Sequence, residues 1–498
     1  MYNKVIISSL VAVILLITLY AEHTGAFILR RESSLNRGLR LSHGIDTRRE
    51  QLQQHRSNKM TNRHLPQPMW YTQKVDHYDP LNTDTFQQQY FVNATYWKPG
   101  GPVFLLLGGE GPASYTGVTG HFIINTYAQM FDALIVSVEH RFYGKSMPKP
   151  TLDTKHLKYL TTQQALADYA QFRNFIAQKY NTGSSKWVSF GGSYSGSLSA
   201  WFRLKYPQLI DAAIATSAPV QPQLDFKEYL EVVSASIGPQ CSARIANVTN
   251  VVTAMLNTDR RKVEKLFNTC DEIHSDDDVA TFFENLADSV AEIVQYNNDN
   301  NRYTMFNISK MCSMLEAGDD LTSFVNFNNE FNTFSGNNCT QSSYKSLVNQ
   351  LQDVDPNGEF ASSRTWTWQT CIEYGYFQTA QSPNQPFSPT ITLDWFLQQC
   401  LDIFGPRDDG LPYLPQTKYI ESDYGGRNIQ TSQTIFPNGL VDPWHALGVL
   451  NATSSEIQTI LITGTAHCAD LYPALPTDPP GLVQARQMEV DLISSILP

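Results

Sequence analysis

Cysteine is missing from the first 240 of the 498 residues, and all seven present fall between Cys241 and Cys468. They form no C-x-x-C pair and no H-E-x-x-H motif occurs, so the ligand spacings of zinc sites are absent and neither a metal nor another cofactor is expected. Charged residues are also scarce, 17% against 42% hydrophobic, the balance of a chain that buries a core. A second long apolar run is lacking: after Val5 to Ala21 no stretch is long enough to span a bilayer, which excludes stable membrane insertion of the rest. Positive charge is concentrated at the start. The first 64 residues hold ten of the 36 basic residues and four of the 47 acidic ones, leaving 26 against 43 and a net charge of −17. A surface of that sign repels phosphate backbones and anionic headgroups, so nucleic acid is not an expected partner.

Lys4, the apolar run and the small residues Thr24, Gly25 and Ala26 have the plan of a secretory signal peptide over residues 1–26, cleaved near Ala21 or Ala26. Residues 27–64 are polar and arginine-rich, with the pairs Arg30–Arg31 and Arg48–Arg49, and are expected to be a propeptide or disordered leader. Five N-x-S/T sequons follow, at Asn93, Asn247, Asn307, Asn338 and Asn451, the expected glycosylation sites of a secretory-pathway protein. In that oxidising compartment six cysteines can pair and one is left over. The acidic run Asp276 to Asp278 and the cluster Asn297 to Asn301 fit no calcium-loop spacing and are expected to be solvated loops.

The chemistry centres on Lys186 to Pro207. Trp187, Val188 and Phe190 predict a short buried strand, and Leu198, Ala200, Trp201, Phe202 and Leu204 predict a helix that ends before Pro207. Between them lie Gly191, Gly192 and Ser193. A serine at a tight strand-to-helix turn between small residues is the nucleophile elbow of α/β hydrolases. Gly191 and Ser193 fill the first glycine and the serine of G-x-S-x-G, while Ser195 replaces the second glycine and Gly196 comes one place later. An ordinary Gly-Ser turn would look similar, so the rest of the chain decides.

Val103 to Leu107 is an apolar strand ending in Gly108, Gly109, Glu110, Gly111 and Pro112. In this fold such a turn supplies an oxyanion-hole amide, here from Gly109, beside that of Tyr194 after the nucleophile. Ala133 to Val138 predicts another strand, leading to Glu139, His140 and Arg141, which are expected to brace loops. Helical spacing over Thr161 to Tyr180 and a small-residue strand at Ala212 to Ala215 complete an order that implies a parallel sheet with crossover helices. The texture then changes. Val248 to Phe267, Val279 to Tyr296 and Ile308 to Leu315 look helical, and six cysteines fall in this region. Strands return at Gln433 to Phe436, ahead of Asp442, and at Gln458 to Ile462, ahead of His467. The order serine, acid, histidine belongs to the α/β-hydrolase triad. His445 is a rival base on the acid's own loop. The expected fold is thus an α/β-hydrolase core over residues 65–220 and 401–498, with a mostly helical, disulfide-bonded cap inserted over 221–400. Trp444, two places after the acid, offers a flat apolar wall for proline, and Glu110 joins it as an expected pocket residue.

Seven motifs carry a family resemblance: LLLGGEGP at 105–112, VEHRFYGKS at 138–146, FGGSYSGSLSAWFRLKYP at 190–207, SAPV at 217–220, WQTCIEYGYF at 368–377, NGLVDPWHALGV at 438–449 and GTAHCADL at 464–471. From about residue 67 to the C-terminus the chain resembles the serine peptidases that include lysosomal Pro-X carboxypeptidase, dipeptidyl peptidase II and thymus-specific serine protease. Ser195 and Cys468 bring it nearest the last branch. The resemblance implies Ser193 as nucleophile, Asp442 as acid and His467 as base, with disulfides Cys241–Cys312, Cys270–Cys339 and Cys371–Cys400 and a free Cys468. It also implies a metal-independent peptidase cleaving after proline or a small residue in lysosomes, endosomes or outside the cell; of the two modes it leaves open, exopeptidase is expected ahead of endopeptidase. Peptides are the expected partners, and a homodimer is allowed. A lipase or esterase would use the same triad. A non-catalytic adhesion module would be expected to lose a triad member, and none is lost.

Overall fold

The structure, a computed structural model, describes residues 65–298, 306–407 and 409–498; the expected signal peptide and leader lie outside them. Eight strands form one sheet: β1 (Met69–Lys74), β2 (Thr85–Asn93), β3 (Val103–Leu107), β4 (Leu134–Val138), β5 (Trp187–Gly192), β6 (Ala212–Thr216), β9 (Thr434–Gly439) and β10 (Ile457–Ile462). Their spatial order is β1-β2-β4-β3-β5-β6-β9-β10. From β4 to β10 every pairing is parallel, as the order of strands and crossover helices implies, and at one edge β1 and β2 add two antiparallel strands that the order did not foretell. The reason is local: Tyr71 pairs with Gln88 across the connection 75–84, which holds no crossover helix.

The central strands are apolar because both faces are covered. Leu105, Leu107, Val136 and Val138 face helix α2 (Thr162–Lys179), where Tyr169, Phe172 and Ile176 pack on them. Their neighbours Phe104, Ile135, Val188 and Phe190 face the opposite layer, formed by α1 (Ile124–Phe131) and the C-terminal α7 (Pro480–Ile496), through Tyr127, Leu492 and Ile493. Helix α3 (Tyr194–Lys205) leaves directly from β5. This is the α/β-hydrolase core.

Between β6 and β9 the chain makes a largely helical excursion built around α4 (Glu228–Thr258), α5 (Asp276–Gln295) and α6 (Asp320–Phe334). Helix α4 begins twenty residues before the predicted Val248, and its buried stripe is Tyr229, Val233, Ile237, Cys241, Ile245, Val248 and Val252. Gly238, with φ of 80°, and Pro239 break it there, and that pair hid the first half from a periodicity reading. Ser275 and Asp278 close a capping box on α5, where three aspartates in the first turn favour the helix dipole. Helical structure continues past residue 400, through Leu393–Phe404 and Thr417–Tyr424. A two-stranded parallel sheet, β7 (Gln223–Asp225) with β8 (Gly375–Phe377), lies within the excursion. Three disulfides staple it, Cys241–Cys312, Cys270–Cys339 and Cys371–Cys400. Its apolar side merges with the core around Phe226 and Tyr229. No helix among the described residues is long and apolar enough to cross a membrane.

Candidate active site

Ser193 sits at the junction of β5 and α3 with φ of 59° and ψ of −131°, a strained geometry for a residue bearing a side chain and one that clusters at functional sites. Its amide donates to Thr216 O (3.0 Å), and its carbonyl accepts from Ser197 N–H (3.1 Å), so the turn is held from both sides. The departure from G-x-S-x-G has a purpose. The Ser195 hydroxyl accepts from Gly192 N–H (3.0 Å) and donates to Gly192 O (2.9 Å), tying the residue before the nucleophile to the helix after it. Two glycines make this packing possible. A Cβ on Gly191 would lie 2.0 Å from Ser195 O, and one on Gly109 would lie 3.1 Å from Ser195 Cβ.

The β9 and β10 ends bring the predicted acid and base together. Asp442 is fully buried; its Oδ1 accepts from Trp444 N–H (3.0 Å), capping the turn that follows, and its Oδ2 lies 2.9 Å from His467 Nδ1. Burial disfavours a charged imidazole, but the Asp442 carboxylate outweighs it through its charge and its hydrogen bond, and the His467 pKa stands well above the ordinary value. Cys468, the free cysteine, occupies the left-handed region with φ of 56°, and its amide donates to Ser217 Oγ (3.0 Å). Burial raises its thiol pKa despite the neighbouring histidine, so the sulfur stays protonated at neutral pH.

A cavity of about 200 Å³ joins these groups, with Gly109, Glu110, Ser193, Ser195, His467 and Cys468 in its lining and an apolar wall that includes Leu106, Phe122 and Phe190. The predicted nucleophile, base, glycine turn and Glu110 therefore share one space. Tyr194 follows Ser193 in the chain, but its side chain points beneath the elbow, where its Oη contacts His140 Nε2 (3.1 Å) and accepts from Gln369 Nε2 (3.0 Å). His140 is a brace here, and burial lowers its pKa to about 4. The rival base His445 turns its Nδ1 to the carbonyl of Asp442 (2.6 Å).

Trp444 does not line this cavity. Its indole is 3% exposed among Phe226, Tyr229 and Tyr376, with ring centroids 5.4 to 5.6 Å away, and its N–H donates to Gln295 Oε1 (2.9 Å). The flat wall expected from it is replaced by packing, because the excursion supplies three aromatic rings that no local pattern places there. Tyr296, just past α5, was not foreseen either; it lines the cavity and meets the His467 ring edge-on at 6.1 Å. Of the sequons, Asn247, Asn338 and Asn451 are exposed, whereas Asn93 donates to Val118 O (2.7 Å) and Asn307 caps a helix through Lys310 N–H (2.8 Å), both half-buried.

Comparison with known sequences gives consistent matches. The family described as serine carboxypeptidase S28 matches residues 73–489. A Caenorhabditis elegans protein whose name describes a serine protease is 37% identical over 447 residues, 86% of this chain and 87% of its own. Human thymus-specific serine protease is 34% identical over 447 residues, 85% of each chain. Human lysosomal Pro-X carboxypeptidase is 27% identical over 446 residues, 85% of this chain and 86% of its own. Among solved structures, proline iminopeptidase from Mycobacterium smegmatis aligns with a TM-score of 0.38 and 11% identity over 85% of this chain and all of that one.

Proposed function

The chain belongs to the serine carboxypeptidase S28 family and is a serine peptidase with an α/β-hydrolase fold, and from that premise we propose that Ser193, His467 and Asp442 are its catalytic triad. The observation that carries the assignment is the 2.9 Å contact of Asp442 Oδ2 with His467 Nδ1, made where His467 and the strained Ser193 share a cavity. Ser193 Oγ attacks the scissile carbonyl carbon while His467 Nε2 takes its proton. The resulting imidazolium is stabilised through Nδ1–H by Asp442. Backbone N–H groups of Gly109 and Tyr194 receive the oxyanion. His467 returns the proton to the leaving amine, and a water activated by the same nitrogen then hydrolyses the acyl-enzyme.

The substrate is a peptide cut after proline or another compact apolar residue, by an exopeptidase. What supports the compact residue is the small apolar-walled cavity beside Ser193. The enzyme works in the secretory pathway, in lysosomes or endosomes or outside the cell. Support for that comes from three disulfides and exposed sequons. Digestion of a mixed peptide pool, read by mass spectrometry, tests the bond and the end attacked. Ser193→Ala should abolish cleavage and fluorophosphonate labelling with folding intact. A peptidase rate near wild type in that variant, or cleavage of esters alone, would overturn the proposal.

A further inference from the structure

The excursion touches the triad at one residue in particular. Gln295, the last residue of α5, is fully buried. Its backbone carbonyl, in the helix's final turn, accepts the amide N–H of His467 (2.9 Å). The negative end of the α5 dipole thus abuts the loop of the catalytic histidine. Its side-chain Oε1 accepts two further donors, the Trp444 indole N–H (2.9 Å) and the Tyr229 hydroxyl (2.7 Å). Trp444 is also the residue whose backbone N–H holds Asp442 Oδ1 (3.0 Å). One residue of the insertion therefore grips the base's loop through its main chain and the acid's loop through its side chain.

Resting on the triad assigned above, we propose that Gln295 is a positioning residue of the peptidase: from the inserted helical segment it sets the registration of Asp442 against His467. The catalytic site is then shared between the α/β-hydrolase core and the insertion. Chemically the position calls for an acceptor. The Trp444 indole N–H and the Tyr229 hydroxyl are buried donors to that oxygen, and an apolar replacement leaves the pair without it, whereas a carboxylate oxygen can accept from them. Loosening the Asp442 loop also removes the contact that raises the His467 pKa, and a carboxylate at 295 adds a second negative group near the imidazole.

The test uses the full chain with Gln295→Met and Gln295→Glu, read by peptide kinetics across pH and by the rate of fluorophosphonate labelling, with thermal melts as a folding control. Gln295→Met should lower kcat and the labelling rate about 10- to 100-fold, the scale of a misplacement near 1 Å. KM should change less than about threefold, and the acid limb of kcat/KM should move to lower pH. Gln295→Glu should recover most of kcat and move the same limb to higher pH, and it answers the question by itself if the methionine variant does not fold. Wild-type labelling rates with an unmoved acid limb in the folded variants would overturn the positioning role alone. A wild-type enzyme that is not labelled, or is labelled equally after Ser193→Ala, would overturn the triad and this role with it.

Discussion

Gly191→Ala asks the most of the elbow geometry. The added methyl would lie 2.0 Å from Ser195 O and 2.3 Å from Ser195 C, both main-chain atoms. Ordinary contact needs about 3.4 Å or more, so the end of β5 and the first turn of α3 must separate by more than about 1 Å. Ser193 lies between them, already at φ of 59° and fastened to Thr216, so it moves with one side or the other. Misplacement of that size costs about 100-fold in rate, and overpacking costs about 1 to 3 kcal/mol in stability. The assay is kcat/KM and fluorophosphonate labelling beside a thermal melt. Gly183→Ala is the control, since a methyl there meets nothing within 4 Å. A Gly191→Ala enzyme that labels and melts like wild type would refute the view that this glycine sets the nucleophile.

Ser195→Ala should lose both hydrogen bonds to Gly192, at about 1 kcal/mol, with a severalfold lower labelling rate; unchanged stability and labelling would deny the staple. Burial pushes Glu373 up to about 7, against hydrogen bonds from Thr162, Tyr374 and Gln369. The unfolded chain releases that proton near 4.5 and the folded chain holds it to about 7, so the stabilisation is complete below pH 4.5 and lost by neutrality, about 3 kcal/mol at most. Urea denaturation should therefore show greater stability at pH 5 than at pH 8, less so in Glu373→Gln, and a flat profile in wild type would be wrong for a buried carboxyl. Turnover should run the other way, because the raised His467 pKa keeps the base protonated as pH falls below neutrality; a kcat/KM undiminished at pH 5 would contradict it. Glycopeptide mapping should find glycans at the exposed Asn247, Asn338 and Asn451, and occupancy confined to Asn93 and Asn307 would reverse that expectation.

The elbow was legible because its determinants are local: a buried strand, two glycines, a serine and a helix within about twenty residues. The Asp442–His467 pair was legible because each residue follows a short strand near the end of the chain, in an order the fold requires. What could not be read depends on contacts across the insertion. Trp444 looks like a substrate wall until Phe226, Tyr229 and Tyr376 surround it, and Gln295 has no local feature marking it as a partner of His467. The first half of α4 was missed because Gly238 and Pro239 interrupt a stripe that tertiary burial restores. The antiparallel β1–β2 pair was masked because its sequence alternation does not announce direction.

The placement of the excursion between β6 and β9 also orders events in time. Residues 217–433 must emerge during synthesis before β9 can pair with β6 at Ala213–Thr434 and Ile214–Ile435. Closing so long a loop as a flexible chain is entropically costly, and an insertion that has already folded and oxidised brings the two strands close. The early strands expose apolar edges meanwhile, the hazard of slow, non-local pairing. A nascent chain carries Ser193 long before Asp442 and His467 exist, so under the triad proposed above hydrolytic competence is the last property the polypeptide acquires.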